Sequence, residues 1–410
     1  MVTLMSTDSA STRIFLAICI VLLAMTCLCW GASRSKHRIQ AVNTIPLQLA
    51  SDSSLMDISK QGTLLVYPWG PAHIEGLEVV WPKLLLWDYR RQKAALEFPP
   101  NDDWVKWGKK APKQVQGDLE FRFQGDGSRI VGVQTPWLVL IDLKKQAEIA
   151  RVVPSESYLR EDSPGRPSAQ AGVSICHLSV KPQNGFVAVV YNIGKDTHLY
   201  VYDRDLKAQI ASWAMPRIVK DLCWSPDGQK LAVLFHGWFD ENRKMHYVQR
   251  KSEAWTTLEI PDVWVMDAHS GEPLVKFWTK TGQDQIAFSK DGSLIYVTND
   301  FSYDSPPAHM GAIRVFSADS GALVQTISAG PKGVHSSFSL SPDGSLIAAD
   351  ASTDAPRGWD LEIPPFEKIS RVVLLDAKTG DLLFEHHERT ERYKSDPLGF
   401  AFPRTVGFSL

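Results

Sequence analysis

Apolar and polar positions alternate along this chain in a pattern that returns six times, each time running into a short turn phrase. The phrases are ISKQG (58–62), FQGDG (123–127), VKPQN (180–184), WSPDG (224–228), FSKDG (288–292) and LSPDG (340–344). Six and four residues before the last turn residue stand Met56/Ile58, Phe121/Phe123, Leu178/Val180, Leu222/Trp224, Ile286/Phe288 and Phe338/Leu340, all apolar. Between them stand Asp57, Arg122, Ser179, Cys223, Ala287 and Ser339. A period of two predicts a strand with one face buried. An apolar stretch follows each turn. Then comes an alternating strand: LLLWD (84–88), LVLID (138–142), LYVYD (199–203), VWVMD (263–267), IRVFS (313–317) and VVLLD (372–376), with Asp closing every copy but the fifth. A second turn, plainest in AHSGEPL, ADSGALV and AKTGDLL, leads to a fourth strand.

The letters of the turns have physical reasons. In Ser225-Pro226-Asp227-Gly228, proline presets φ, aspartate suits the third position and glycine takes the left-handed one. In the third copy Asn184 is expected to fill the glycine slot, being tolerant of positive φ. Four short antiparallel strands per unit, repeated at 65, 57, 44, 64 and 52 residues, predict propeller blades rather than a helical solenoid.

The units resemble WD40-type repeats, and more closely the "FSPDG…VxVxD…TG" blades of TolB-like and YVTN-type bacterial propellers. The resemblance covers about residues 45–410; it lacks the Gly-His pair of eukaryotic WD40 repeats, and Trp-Asp ends only the strand at Trp87-Asp88. It implies architecture and is nearly silent on activity. The extra N-terminal domain of TolB has no counterpart, so TolB function is not carried over. The fold expected is all-β: a β-propeller of six recognisable four-stranded blades plus a partial seventh, preceded by one N-terminal transmembrane or signal helix. RTVGFSL (404–410) matches an inner strand, with Val406 and Phe408 in the apolar slots, and TIPLQLA (44–50) an outer strand that could share its blade. The reading favours truncation at Leu410, with six closed blades as the alternative.

Residues 14–30, IFLAICIVLLAMTCLCW, carry no charge and would reach about 25 Å as a helix, enough for a thin or untilted span. The organisation expected is a tail at 1–13, a hydrophobic membrane anchor or signal segment at 14–31, a linker at 32–44 and the propeller at 45–410. No small-x-small cleavage site stands out around Cys29–Ala32, which favours an uncleaved single-pass anchor. The propeller is expected on the extracytoplasmic side, the common arrangement for such a tail. Arg34, Lys36 and Arg38 after the span, against Arg13 before it, favour the opposite side, and both orientations stay open.

A net charge of −2 and a sequence pI near 6.6 provide no whole-molecule field to gather nucleic acid or anionic lipid, which leaves only a local patch open and no nucleic-acid partner expected. Of five cysteines, Cys19, Cys27 and Cys29 lie in the apolar run, so no disulfide framework is expected. No phosphate-cradling loop, CxxC pair in the folded part, HExxH or GxSxG appears, and no cofactor is implied.

Function is expected on the face that carries the long connections. Candidate ligand-binding residues there are Trp104, Trp107, Lys109 and Lys110 in NDDWVKWGKKAPK (101–113), and Trp238, Phe239 and Trp255 in the 235–255 segment. The alternative is that these tryptophans pack the loops down. A second candidate is the channel mouth: the residue seven before each turn end is Leu55, Glu120, His177, Asp221, Gln285 and Ser337, and Glu120, His177, Asp221 and Gln285 are its candidate site residues. Glu120, His177 and Asp221 have the chemistry of a hard-cation site, against which stands the plain reading of a wet funnel rim; no metal is assigned. The function expected is a membrane-tethered binding or scaffold module for a protein, peptide or envelope polymer. The alternative is a lactonase- or dehydrogenase-like propeller enzyme using the mouth.

Overall fold

The structure, a computed structural model, describes residues 119–134, 137–153, 173–193, 196–235, 261–279, 283–299, 312–328, 334–352 and 369–389, with shorter strand segments at 56–58, 63–66, 73–75, 78–80, 84–88, 93–98, 238–239 and 245–246. The hydrophobic segment 14–31, the linker, and the strands expected at 44–50 and 404–410 lie outside the described residues. Among the described residues no helix is long and apolar enough to cross a membrane.

The described strands form six four-stranded antiparallel sheets. Sheet 1 holds Met56–Ile58, Thr63–Val66, Leu84–Asp88 and Lys93–Phe98; sheet 2 Leu119–Gln124, Arg129–Gln134, Trp137–Asp142 and Ala147–Val152. Sheet 3 holds Val173–Val180, Val187–Ile193, Asp196–Tyr202 and Gln209–Met215; sheet 4 Val219–Trp224, Lys230–Phe235, Val263–Asp267 and Pro273–Phe277. Sheet 5 holds Gln283–Phe288, Leu294–Asn299, Ala312–Ser317 and Leu323–Ser328; sheet 6 Val334–Leu340, Leu346–Ser352, Ile369–Asp376 and Leu382–Arg389. The first strand of each sheet lies beside the first strand of the next, from sheet 1 to sheet 6. Sheets related this way radiate like propeller blades, their first strands innermost.

The core follows from that arrangement: it lies as slabs between neighbouring sheets. Leu86 of sheet 1 packs with Phe121, Ile130 and Val139 of sheet 2. Val131 and Leu140 of sheet 2 pack with Val189 and Tyr200 of sheet 3, and Val190 and Leu199 of sheet 3 with Leu222 and Val233 of sheet 4. Leu234 and Val265 meet Ile286 and Phe316, and Ile313 and Val315 meet Phe338 and Val373. The expected alternation is realised: Phe121, Leu178, Leu222, Ile286 and Phe338 are buried, while the residue after each is only partly so.

The connections differ sharply between the two ends of the sheets. All turns between first and second strands, and between third and fourth, are four to six residues long. At the opposite end the connections include 67–83, 99–118, 153–172, 236–262, 300–311 and 353–368. Two of these carry small ribbons, His73–Glu75 with Glu78–Val80 and Trp238–Phe239 with Met245–His246.

The short turns hold themselves. Ser225 Oγ donates to Asp227 Oδ1 at 2.6 Å and accepts from Lys230 N–H at 2.9 Å, and the Ser289/Asp291 and Ser341/Asp343 turns repeat this. The Asp that ends the third strand accepts from the turn behind it: Asp267 Oδ1 takes the N–H groups of His269 and Ser270 at 3.0 and 2.7 Å, and Asp376 those of Lys378 and Thr379. Gly228, Gly292 and Gly344 take the left-handed conformation as expected. The third copy departs from expectation. There Gly185, at φ 74°, and not Asn184, takes the left-handed position, because the turn is one residue longer and closes by Gly185 N–H to Lys181 O. Asn184 instead accepts Phe186 N–H through its side chain.

Candidate functional site

The inner strands bring the channel-mouth residues to equivalent places, and three of them do one job. Leu178, Leu222, Ile286 and Phe338 follow these positions on the innermost strands, whose free edge needs acceptors for N–H groups that no sheet partner takes. Glu120 Oε2 accepts Leu178 N–H at 2.9 Å, Asp221 Oδ2 accepts Ile286 N–H at 2.8 Å, and Gln285 Oε1 accepts Phe338 N–H at 2.9 Å. Each is a clasp from one sheet to the next. A register shift lies just ahead of the clasped strand position in sheets 3 to 6, between Ile175/His177, Val219/Asp221, Gln283/Ile286 and His335/Phe338. Such bulges re-aim side chains.

The electrostatics of the clasps differ. Glu120 is buried, and its second oxygen meets Arg122 Nη2 at 2.5 Å. Asp221 has both oxygens on main-chain N–H groups, Leu222 at 2.8 Å on Oδ1 and Ile286 on Oδ2, with His177 Nδ1 4.0 Å from Oδ1. Burial pushes the Asp221 carboxyl up to about 6 against the pull of these hydrogen bonds and of Arg122 and Lys220. The oxygens of Glu120 and Asp221 are therefore engaged with main-chain N–H groups and, at Glu120 Oε1, with the Arg122 guanidinium. Among the described residues no group of three or more His, Cys, Asp or Glu could hold a metal ion.

A second buried polar cluster sits where the 236–262 connection leaves the sheets, and sequence reasoning did not single it out. Phe235 N–H donates to Asp262 O at 2.8 Å, tying the two ends of that connection together. The Asp262 side chain is fully buried and accepts from Thr279 N–H at 2.8 Å and from the Thr279 hydroxyl. Arg314 Nη1 donates to Thr279 O, and the Arg217 guanidinium lies 5.6 Å over the Phe235 ring, near enough to Asp262 to favour its charge. Burial nevertheless pushes Asp262 up to about 6. The available signal was an Asp placed right before a strand at the foot of a long connection.

Of the loop-face candidates, Trp104, Trp107, Lys109, Lys110 and Trp255 lie outside the described residues. Trp238–Phe239 form one strand of the small ribbon in the 236–262 connection.

No protein-family model matches the chain. No curated protein matches it either. Among solved structures, a chain of the mitotic checkpoint complex is similar at 14% identity over 82% of this chain and 81% of that one, with a TM-score of 0.49. The Cps50 (Swd1) β-propeller domain of Myceliophteria thermophila is similar at 12% identity over 84% of this chain and 90% of that one, TM-score 0.49. Hydrazine synthase of Kuenenia stuttgartiensis is similar at 11% identity over 86% of this chain and 87% of that one, TM-score 0.49. The propeller arrangement itself is established by the sheets' topology and the adjacency of their first strands.

Proposed function

We propose that this chain is a binding or scaffold propeller that engages a protein partner through the end carrying its long connections. The observation that supports this is the contrast between the two ends: turns of four to six residues with internally satisfied side chains at one, connections as long as 236–262 at the other. Ordering a long connection costs conformational entropy, which the free energy of binding a partner can offset. A peptide and an envelope polymer are the other ligands of this reading, and Trp104, Trp107, Lys109, Lys110, Trp238, Phe239 and Trp255 its candidate contacts. The closer likeness to TolB-like and YVTN-type bacterial propellers, and tethering through 14–31 with an extracytoplasmic propeller, belong to the same proposal. They rest on the turn phrases and on the uncharged run at 14–30.

Site-specific photo-crosslinking tests the face. A crosslinker at position 104, 107 or 255 should capture the partner in cells, and one at Lys144, Asp319 or Lys378 in the short turns should not. Capture from the short-turn positions alone would overturn the proposal. Alkaline extraction of membranes tests the tether: the full chain should stay with the membrane, and a chain lacking 14–31 should not.

A further inference from the structure

We propose that Asn184 is a site of spontaneous deamidation, left open by the first turn of sheet 3 and closed in the equivalent turns of sheets 2, 4, 5 and 6. Of the six asparagines in the chain, Asn184 alone precedes a glycine. It is exposed at the short-turn end, and its Oδ1 accepts Phe186 N–H at 3.2 Å. That bond folds the carboxamide back along the main chain and keeps Cγ near the intervening Gly185 nitrogen, with which it can close a five-membered ring. It also aims an N–H donor at the oxygen that turns negative when Cγ is attacked. Gly185, at φ 74°, has no Cβ to obstruct the approach.

Asp126, Asp227, Asp291 and Asp343 also precede glycines, and the Oδ1 of each accepts the N–H two residues on at 2.9 to 3.0 Å. The fold of the side chain is shared; the leaving group is not. Serine hydroxyls and these N–H groups hold the four carboxyls below the usual range, and an ionised carboxylate has no group to expel at neutral pH. The Asn184 carboxamide keeps its leaving nitrogen at every pH. In the reaction the Gly185 nitrogen gives up its proton and bonds to Asn184 Cγ, the Cγ–Nδ2 bond breaks, and ammonia leaves with that proton. Water then opens the imide, and no atom is oxidised or reduced. Opening at Cγ leaves an aspartate at 184; opening at the main-chain carbonyl leaves an isoaspartate, one carbon longer in the main chain. The lengthened turn displaces Gly185 O, which accepts Gln124 Nε2 at 2.7 Å, and so loosens the tie from sheet 2 to sheet 3. One bond opposes the first step, Gly185 N–H to Lys181 O at 3.0 Å. Releasing one such bond slows the reaction by about two- to twelvefold.

Peptide mapping of the full chain, incubated at about pH 7 and about pH 8, should show the Asn184 peptide taking on the mass of an acid in place of an amide, about tenfold faster at the higher pH because hydroxide removes the Gly185 proton. Both the aspartate and the isoaspartate product should appear. Peptides holding Asn192, Asn299, Asp227, Asp291 and Asp343 should stay unchanged over the same time. Asn184→Gln, which needs a larger ring, should end the reaction. The chain unfolded in urea supplies the reference rate, and the folded chain should stay within about twelvefold of it, the margin of one hydrogen bond. A folded rate below that margin, or conversion of Asn192 as fast as that of Asn184, overturns the proposal.

Discussion

Aspartates accept main-chain N–H groups in two regions of this molecule, and the outcomes are opposite. In the short turns Asp291 and Asp343 accept from neighbouring serines and from the N–H two residues on, and these bonds hold their carboxyls down at about 2. Asp221 and Asp262 accept equally good bonds at the other end of the sheets, yet both sit at about 6. Geometry at the oxygen atoms is shared; the surroundings are not. Water completes the solvation of a turn carboxylate, whereas in the interior two hydrogen bonds, from two N–H groups at Asp221 and from the Thr279 N–H and hydroxyl at Asp262, replace only part of what burial removes. A carboxylate in the turns is a fastener that works best charged, and one between the sheets is a fastener that works best neutral.

Removing a buried fastener should cost most. Asp262→Ala leaves Thr279 N–H and hydroxyl without this acceptor beneath the 236–262 connection, and takes the carboxylate away from Arg217 and Arg314. A loss of about 3–5 kcal/mol in urea unfolding is expected, as for one partner taken from a buried charged group. Asp262→Asn, which keeps an acceptor, should recover a good part of it. A loss below about 1 kcal/mol would mean that the cluster is solvated and the contrast with the turns is lost.

Changing pH tests both regions in one experiment. Asp221 and Asp262 have raised folded values, so their contribution is complete below about 3.8 and is lost as pH climbs through about 6. Each is expected to give on the order of 2–3 kcal/mol across that window, Asp221 less because the channel wets it. Asp291 and Asp343 have lowered values, so their contribution is present above about 3.8 and disappears as pH falls toward about 2. Unfolding midpoints should therefore rise from pH 7.5 to about 4.5 and drop again below about 3.5. A midpoint that climbs steadily from pH 4.5 to 7.5 would show that the buried pair is ionised at little cost.

A single turn should matter less. Asp343→Ala removes the acceptor of Ser341 Oγ–H and of Ser345 N–H and Oγ–H in a turn open to water. Net bonds of this kind are worth about 0.5–1.5 kcal/mol. Asp343→Asn should keep most of the stability at neutral pH and lose the acid limb that Asp343 contributes.

The same contrast explains what the residue order made legible. A turn is built from five or six consecutive residues, so Ser-Pro-Asp-Gly and the Asp closing the third strand state their own hydrogen bonds, and the four-strand unit follows. Where a turn grew by one residue, counting by register misplaced the left-handed position from Gly185 to Asn184. The clasps behave otherwise. Glu120, Asp221 and Gln285 bond to residues 58, 65 and 53 positions ahead, so their spacing announces a shared location at the channel mouth but not what the side chain reaches. His177 shares the location, yet it stands beside Asp221 where the others clasp a backbone N–H. Asp262, Thr279 and Arg217 flank strand ends and Arg314 lies within the strand Ala312–Ser317, and the four share no common phrase. Only the arrangement of sheets brings them together.

The smallest effect concerns the outer strands, where Ile149, Ile210, Leu274, Val324 and Leu383 occupy one repeated position two residues past the third-to-fourth turn closure. Val324 keeps 57% of its surface exposed, while Val315, on the adjacent strand of the same sheet, keeps 1%. Since most of the Val324 side chain already meets water, Val324→Thr should change stability by less than about 0.5 kcal/mol. Val315→Thr puts a hydroxyl among Ile313, Ile347 and Val373, where no water solvates it, and should cost about 1–3 kcal/mol. Equal losses at the two positions would mean that the outer strands are covered in solution, and a dependence of the Val324→Thr unfolding midpoint on protein concentration would identify the cover as another copy of the chain.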